Sequence, residues 1–356
     1  MFSWARSCWH AVCSRGRSSR ATGLTEVRMS AVVTGPAERD RLERAVAAHG
    51  VGRLAGVRET GSENDRTWIA ATDTGRTVVI KEFPAAPAGA ASARMQAALL
   101  AHVARTDPRL PVPRLLAGEN GRPLTVEEGR SVLVTTFCTG VPLEDITLDE
   151  TVVDSLADAQ THLLAALRDA DPVQLSVPEV NEWSLDAVLD AGHLVPVHTP
   201  PLLHTTLKEI IAGFREHVVP VRDTLPAQVL HADCNLSNVL VENGAVSGII
   251  DFGDAVHAPR VYDLAVTACY LGLALGDLEH PLVARYLATT GRACALDERE
   301  TALVPLLVLA RVALVILLGR ESARRAPGRA AYQLRYDHLA ERVLLARARR
   351  TTEREE

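Results

Sequence analysis

The sequence predicts an α+β protein whose first part is rich in strands and whose second part is mostly helical. Before residue 138, β-branched runs separated by turn residues alternate with two helix patterns. Beyond residue 145 the apolar spacing is that of helices, except for one segment, 228–252, that carries strand patterns. We therefore expect an N-terminal lobe over 36–138 and a C-terminal lobe over 139–346.

Each element of the first lobe has a local signal. PAERDRLERAVAAH has helical spacing and is stopped by two glycines, at 50 and 52. TWIAAT and RTVVIKEF flank an Asp-Thr-Gly turn and predict a hairpin, which places Lys81 on a strand. A helix over 94–105 follows, then the strand-like runs RPLTVEE and SVLVTTF and the linker CTGVPLED.

The two chain ends carry no such patterns. The first 28 residues hold five arginines against one acid and no signal-peptide core. We interpret residues 1–35 as a disordered extension or an over-long start, with Met29 as the true first residue; a targeting leader is the alternative. We expect the first 28 residues to be dispensable and residues 347–356 to form a polar tail. The helices of the second lobe are predicted over residues 151–168, 202–222, 261–275, 281–290, 298–318 and 332–349.

Composition favours a cytoplasmic protein without nucleic-acid or membrane partners. The 356 residues carry a net charge of −6, with a pI of about 6.1 and no basic patch. The six cysteines are scattered without metal-ligand spacing, which is typical of free thiols in a reducing compartment. The apolar stretch 302–318 is shorter than the ~20 residues that span a bilayer and is interrupted by Pro305 and Arg311. We expect a buried core helix there.

The segment 228–252 contains the strongest functional signal. Asn243-Gly244 between two apolar runs predicts a two-residue hairpin turn. That register puts Asn238 opposite Ile249 and Asp251 opposite Leu236. Because strand side chains alternate faces, Asn238 and Asp251 then point to the same face as diagonal neighbours. Their oxygen atoms suit Mg²⁺, which binds one or two carboxylates together with phosphate oxygens and water.

Asp233 lies five residues before Asn238, in a loop that enters the first of these strands. There it can accept the proton of a substrate hydroxyl. Asp and Asn also cap turns, so a purely local role for both residues is the alternative. We expect the neighbouring His231 to brace the loop and assign no chemistry to Cys234. Asp254 is a candidate for contact with substrate or with a second metal ion.

These residues form a known pattern, H-x-D-x-x-x-x-N followed by an apolar residue and D-F-G, which stands here as His231, Asp233, Asn238 and Asp251-Phe252-Gly253. With GSENDRTW, TVVIKEF and VLVTTFCTGVPL, it makes residues 50–345 resemble the aminoglycoside phosphotransferase and choline kinase superfamily. The similarity is greatest to the hydroxylysine-kinase-like branch. The resemblance implies a protein-kinase-like fold of two lobes, the first small and rich in strands.

The resemblance also implies a kinase activity in which ATP or GTP and Mg²⁺ take part. Asp233 resembles the catalytic base, Asn238 and Asp251 the magnesium ligands, and Lys81 the lysine that binds the α- and β-phosphates. Further roles carried over are the phosphate-covering turn at Gly61, Ser62 and Asn64, contact with the adenine ring by Thr136 and Phe137, and structural support by Asp263 together with His231.

One departure concerns the partner of Lys81, which in the family is a glutamate on the first helix. Residues 83–106 contain no carboxylate, and Gln96 or Arg94 stands at that place. Three explanations are open: Gln96 gives a neutral hydrogen bond, Glu82 or another carboxylate substitutes, or the nucleotide is bound more weakly.

The acceptor expected from the resemblance is a small hydroxylated, amine-bearing molecule, such as an amino alcohol, a hydroxy amino acid or an aminoglycoside-like compound. An antibiotic-inactivating phosphotransferase and a catalytically silent nucleotide-binding regulator are the alternative functions. Glu182, Asp186 and Asp190 recur every four residues. They form either a pocket for a cationic amine or a solvated helix face.

Overall fold

A computed structural model describes residues 35–60, 65–118, 121–195 and 199–350, and the backbone of 351–355. The predictions for residues 1–34 and for the turn at Gly61, Ser62 and Asn64 lie outside this part of the chain. The contacts divide the chain between Val141 and Pro142 into two compact units.

The first unit is built on an antiparallel sheet of five strands in the order β1-β2-β3-β5-β4. Two helices accompany this sheet in the described part of the unit. The elements are α1 (Pro36–Ala48), β1 (Leu54–Thr60), β2 (Arg66–Thr72), β3 (Thr77–Glu82), α2 (Pro87–Thr106), β4 (Leu124–Glu127) and β5 (Arg130–Thr136).

One face of strand β3 packs into the apolar core, and the other carries Lys81. Val78 and Ile80 are buried in the core that also contains Leu42 and Val46 of α1. Since side chains alternate along a strand, Lys81 lies on the opposite face, where its ammonium contacts Gln96 of α2. The sheet thus separates an apolar core from the face that carries the predicted phosphate-binding lysine.

The predicted hairpin around the Asp-Thr-Gly turn is confirmed as β2 and β3, with Thr67 paired to Lys81. Strand β1 was missed by the sequence analysis. Its segment, LAGVRET, mixes glycine and charged residues and has no clean alternation. It becomes a strand through its pairing with β2.

The second unit is mostly helical. It contains the short strands β6 (Val141–Pro142, at the division between the units), β7 (Ala227–Leu230), β8 (Val239–Glu242), β9 (Ala245–Ile249) and β10 (Val256–Pro259). Its helices are α3 (Glu150–Leu167), α4 (Pro172–Leu175), α5 (Val188–Ala191), α6 (Pro201–Gly213), α7 (Val261–Leu275), α8 (Pro281–Ala293), α9 (Glu298–Arg325), α10 (Ala330–Gln333) and α11 (Asp337–Glu355).

Some of the elements predicted for this unit need correction. The helix expected over 298–318 continues to Arg325. The helix expected over 332–349 is two helices, because α10 ends at Gln333 and α11 begins at Asp337. Strand β10 was not predicted; it pairs with β7 in a separate two-stranded sheet.

Helix α9 is the single helix of the described chain that is long and apolar enough to cross a membrane. However, 72% of its apolar window is buried within the protein. It packs on α7 in the core of the second unit. This burial agrees with the buried core helix predicted for residues 302–318.

Candidate functional site

The hairpin β8–β9 has the predicted turn but only part of the predicted register. Glu242 pairs with Ala245, and Asn243 and Gly244 have φ of 53° and 79°. Beyond Val246 the register shifts by one residue at Ser247. Next to this bulge, the Val246 amide points away from β8 and donates to the Ser155 hydroxyl of α3 at 2.9 Å.

The shift changes the neighbours of Asn238. The predicted pairing with Ile249 is wrong, since Ile249 pairs with Val239. Instead, the amide of Ile250 donates to the Asn238 carbonyl at 2.9 Å. Asn238 and Asp251 therefore stand just outside the two strands, at the open end of one hairpin, and the alternation of faces does not apply to them.

Asp251 occupies an unusual backbone conformation, with φ of 66°. Asparagine and aspartate tolerate this left-handed region better than other side-chain-bearing residues. The exposed Asp251 carboxylate accepts from the Gly253 amide at 3.4 Å and opens a short helical turn, Phe252–Asp254. The loop thus fixes the backbone at the predicted metal ligand.

The carboxylate of Asp233 is held by side chains on both of its oxygens. Oδ2 accepts from Nδ2 of Asn235 and from Nδ2 of Asn238, each at 2.8 Å. Oδ1 accepts from Nη2 of Arg311 at 2.8 Å. The structure therefore brings the predicted base and one predicted metal ligand into direct contact. Asn235 and Arg311 were not among the predicted site residues.

Hydrogen bonds with Asp263 and His231 support the backbone of the loop that carries Asp233. The amide of Ala232, whose φ is 63°, donates to Oδ1 of the fully buried Asp263 at 2.7 Å. Nε2 of His231 donates to the Ile250 carbonyl at 3.1 Å, and Nδ1 accepts from the Asp233 amide. These contacts fit the supporting roles expected for His231 and Asp263.

The electrostatics of Asp233 suit a proton acceptor. Burial raises the pKa of its carboxyl above the usual range, and Asp251 acts in the same direction. Arg311, His231 and the hydrogen bond from Asn235 oppose the rise. A carboxylate with a raised pKa is a stronger base, and general bases work best when their pKa lies near the operating pH.

The cysteines contribute no nucleophile to this site. Cys138, Cys234, Cys269 and Cys294 are free thiols, as expected. Burial raises the pKa of the Cys234 thiol well above its usual value, so it stays protonated beside Asp233. Cys8 and Cys13 lie outside the described residues.

Lys81 contacts Asp65 and Gln96 in the first unit. Its Nζ lies 3.4 Å from Oδ2 of Asp65 and donates to Oε1 of Gln96 at 3.3 Å. The Asp65 side chain is 6% exposed and its Oδ1 accepts from the Thr67 hydroxyl. Asp65 is thus a carboxylate partner for Lys81 that the sequence analysis did not name.

Glu82 does not fill that role. It lies on the opposite face of β3, is 1% exposed and binds Arg41 of α1 and Arg130 of β5. Arg94 is exposed on α2. Two of the three explanations for the missing helix glutamate are therefore both observed. Gln96 gives Lys81 a neutral hydrogen bond, and Asp65 is the substitute carboxylate.

We predict that Asp65 and Gln96 together replace the helix glutamate. Asp65→Asn should raise the Kd for nucleotide by about tenfold, the equivalent of roughly 1.4 kcal/mol, because Lys81 loses its charged partner. Adding Gln96→Glu should restore binding, since the new carboxylate would face Nζ. Titration calorimetry with nucleotide measures both effects.

Glu59→Gln is the matched control, because Glu59 is a carboxylate of β1 that accepts from Arg66 of β2. It should leave nucleotide binding unchanged. Failure of Gln96→Glu to rescue Asp65→Asn would contradict a shared role at Lys81.

The remaining predicted residues have these surroundings. Thr136 makes two hydrogen bonds with the backbone of Arg114: its amide donates to the Arg114 carbonyl at 2.8 Å, and its hydroxyl oxygen accepts from the Arg114 amide at 2.9 Å. Phe137 follows in a loop. The carbonyl of Asp254 accepts from Asn181 at 2.7 Å. The amide hydrogen of Thr136 and one lone pair of its hydroxyl oxygen are therefore already used in the bonds with Arg114. Contact with the adenine ring, the role carried over to Thr136, would have to come from its other atoms.

The three acidic residues at 182, 186 and 190 do not share one helix. Glu182 lies in a turn, Asp186 in a 3₁₀ turn and Asp190 in α5. Asp186 accepts from Arg222 at 2.9 Å and from Tyr262 at 3.0 Å. Asp186 therefore has a structural role. The solvated helix face expected for residues 182, 186 and 190 does not form.

The donor set at the hairpin end fits a magnesium ion bound together with phosphate. Within the described ranges, no three His, Cys, Asp or Glu side chains converge to make a protein-only metal site. The amide nitrogen of Asn238 faces Asp233, so its carbonyl oxygen points the other way, and Asp251 supplies an exposed carboxylate. Mg²⁺ commonly uses one or two protein oxygens and leaves its other positions to phosphate and water.

Comparison with solved structures identifies the fold. The GDP complex of wild-type aminoglycoside 2'-phosphotransferase-IIIa aligns with a TM-score of 0.62 at 19% identity, over 85% of this chain and 98% of that one. The microcompartment-associated aminopropanol kinase aligns with a TM-score of 0.56 at 20% identity, over 86% and 97%. The fold is therefore that of the protein-kinase-like phosphotransferases, and the predicted fold class is confirmed.

The sequence identifies the family. Residues 57–302 match the phosphotransferase enzyme family, to which this chain belongs. The resemblance to the aminoglycoside phosphotransferase superfamily is thereby confirmed.

Two curated relatives match at about 30% identity. The homoserine kinase of Gluconacetobacter diazotrophicus is 30% identical over 161 residues, 45% of this chain and 49% of that protein. The homoserine kinase of Pseudomonas aeruginosa is 29% identical over 237 residues, 65% and 70%. The chain thus spans about half the length of the first relative.

Proposed function

We propose that this protein is a small-molecule kinase that transfers the γ-phosphate of ATP or GTP to a hydroxyl group of an amine-bearing acceptor. One observation carries the proposal. The carboxylate of Asp233 is fixed by Asn235, Asn238 and Arg311, at the hairpin end where Asn238 and Asp251 offer oxygen ligands. Membership of the phosphotransferase family supports it.

Asp233 would act as the general base. Among the described residues, Oδ1 accepts a hydrogen bond from Arg311 alone, and a carboxylate oxygen has two lone pairs. The second can accept the hydroxyl of the acceptor, orient its oxygen toward the phosphate and take its proton. Phosphoryl transfer depends mainly on such positioning, because its transition state is loose and highly charged.

Asn238 and Asp251 would hold Mg²⁺, the carbonyl oxygen of one and the carboxylate of the other serving as ligands. When bound, the ion neutralises charge that develops on the phosphate oxygens. The protein's part is to keep both ligands at one hairpin end, through the bond between Ile250 and the Asn238 backbone and the fixed left-handed conformation of Asp251.

Lys81 would bind the phosphates of the nucleotide as a compact positive charge. Its carboxylate partner bears on the choice between an enzyme and a silent regulator. The missing helix glutamate favoured a regulator, but Asp65 supplies a charged partner from another element. The absence of a helix glutamate therefore no longer argues against catalysis.

Three acceptor classes are proposed: hydroxy amino acids, amino alcohols and aminoglycoside-like compounds. The names of the relatives support them, since they are called homoserine kinases, an aminopropanol kinase and a phosphotransferase in complex with kanamycin. GDP and AMP-PNP occur in the complexes of two structural neighbours, which supports a nucleotide as the phosphate donor.

We predict acceptor-dependent phosphate transfer in a defined panel. Homoserine, hydroxylysine, aminopropanol, choline and kanamycin would be incubated with radiolabelled ATP or GTP and Mg²⁺, and the label in the acceptor counted. At least one acceptor should be labelled well above a no-acceptor control. Tight nucleotide binding without labelling of any compound would favour the regulator instead.

A further inference from the structure

Arg311 lies in the middle of α9, in the most apolar part of that helix. It is 1% exposed, and its neighbours Ala310 and Val312 are fully buried. Transferring a guanidinium group from water into a protein core is strongly unfavourable unless its charge and its N–H groups find partners. The partners of Arg311 therefore indicate what the residue is for.

Those partners come from three separate elements. Nη2 donates to Oδ1 of Asp233 at 2.8 Å and to the Tyr270 hydroxyl at 3.1 Å, and Nη1 donates to the Trp183 carbonyl at 2.6 Å. The rings of Trp183 and Tyr270 each lie 5.4 Å from the guanidinium carbon. The planar group is thus fixed in position and orientation before it meets Asp233.

The contact with Asp233 completes the support of that carboxylate. Asn235 and Asn238 hold Oδ2, and both come from the same loop as Asp233. Arg311 alone reaches Oδ1 from outside the loop among the bonds of the described chain. Without it, the oxygen that would face the acceptor hydroxyl loses its anchor to the core.

We propose that Arg311 is a positioning residue for phosphoryl transfer: it anchors the Asp233 carboxylate to the core of the second unit and so sets the direction of its Oδ1. The inference rests on the proposed function, in which Asp233 is the general base. Arg311 would act through Asp233 and not through the nucleotide.

The test compares Arg311→Lys and Arg311→Met with the parent, at saturating nucleotide and acceptor. Arg311→Met should lower kcat by about 10²-fold, the size of effect that follows a misplacement of ~1 Å at a reacting group. Arg311→Lys keeps the charge but replaces the planar guanidinium, which donates from two nitrogens, with a single ammonium nitrogen; its loss should therefore be smaller. The KM for nucleotide should stay at the parental value in both variants.

Arg320→Met is the matched control. Arg320 lies on the same helix and also binds carboxylates, with Nε donating to Asp337 at 2.7 Å and Nη2 to Glu341. Its replacement should lower the melting temperature and leave kcat unchanged. A Tm loss in Arg311→Met with parental kcat in the folded fraction would show that Arg311 is merely structural.

Two further measurements keep the proposal testable if Arg311→Met does not fold. Tyr270→Phe removes only the hydroxyl that accepts from Arg311 and should lower kcat without changing nucleotide KM. Millimolar guanidinium chloride should partly restore kcat in Arg311→Ala, and sodium chloride at equal ionic strength should not. Parental kcat in Tyr270→Phe together with no rescue would overturn the proposal. An inactive parent protein would instead refute the proposed kinase function.

Discussion

Asp233→Asn should lower kcat by about 10²–10⁴-fold, the usual contribution of a general base. The asparagine keeps the size of the side chain and can still accept from Asn235 and Asn238, but it cannot take a proton. The KM for nucleotide should change little, because the affected step follows binding. Steady-state rates at saturating nucleotide, metal and acceptor measure the effect.

The variant should also be less stable, and this must be separated from catalysis. The new amide group would face the buried guanidinium of Arg311, which then lacks a countercharge. Removing one partner of a buried ion pair typically costs about 3–5 kcal/mol. Rates should therefore be measured far below the melting temperature of the variant.

Asp337→Asn is a suitable comparison, because Asp337 is also largely buried and bound to an arginine, Arg320. It should lose stability and keep its kcat. If Asp233→Asn behaves in the same way, Asp233 supports the loop and has no part in the chemistry.

The hairpin shows what local sequence can predict and where tertiary contacts take over. Asn243-Gly244 determined the turn and the two pairs beside it. The one-residue bulge at Ser247 lies beside a tertiary contact, the hydrogen bond from Val246 to Ser155, a residue 91 positions away. Nothing in the segment itself signals the bulge, so the predicted pairing of Asn238 is wrong although the turn and the two pairs beside it are correct.

The partner of Lys81 could have been found from the sequence. In the hairpin β2–β3, Thr67 pairs with Lys81. Asp65 stands two residues before Thr67, next to the first residue of β2, and so lies near Lys81 along the paired strands. The family pattern places this partner on the following helix; a substitute carboxylate was one of the explanations left open, but Asp65 was not named.

A second sequence signal was also present at this position. Of the 38 basic residues, only Lys81 and Lys208 are lysines. A chain that otherwise uses arginine keeps a lysine where a compact charge is expected to meet phosphate groups.

In the sequence, Arg311 argues against a membrane span over residues 302–318 but has no evident partner. Within one helix the sequence cannot show which of many distant carboxylates will face it, since that depends on how α9 packs against the loop of Asp233. An arginine inside an apolar run nevertheless predicts a buried acid, and Asp233 is that acid.

Asp251→Asn should abolish most of the turnover and alter its dependence on Mg²⁺. Asparagine tolerates the left-handed φ of 66° and can still accept from the Gly253 amide, so the loop should keep its shape. It loses the negative charge that would bind the ion. A metal ion contributes several kcal/mol of charge stabilisation, so a loss on the order of 10³-fold is expected.

The substitution is more informative than Asp251→Ala, because alanine adds backbone strain at positive φ to the loss of the ligand. The measurement is a Mg²⁺ titration of turnover in the parent and in Asp251→Asn, with Asp154→Asn as the control. Asp154 is an exposed carboxylate of the same unit that pairs with Arg285 at 2.7 Å. The control should keep the parental titration curve, whereas Asp251→Asn should need more metal to reach a lower plateau. Parental rates and an unchanged curve in Asp251→Asn would remove Asp251 from the metal site, and a metal-independent parent would remove the site itself.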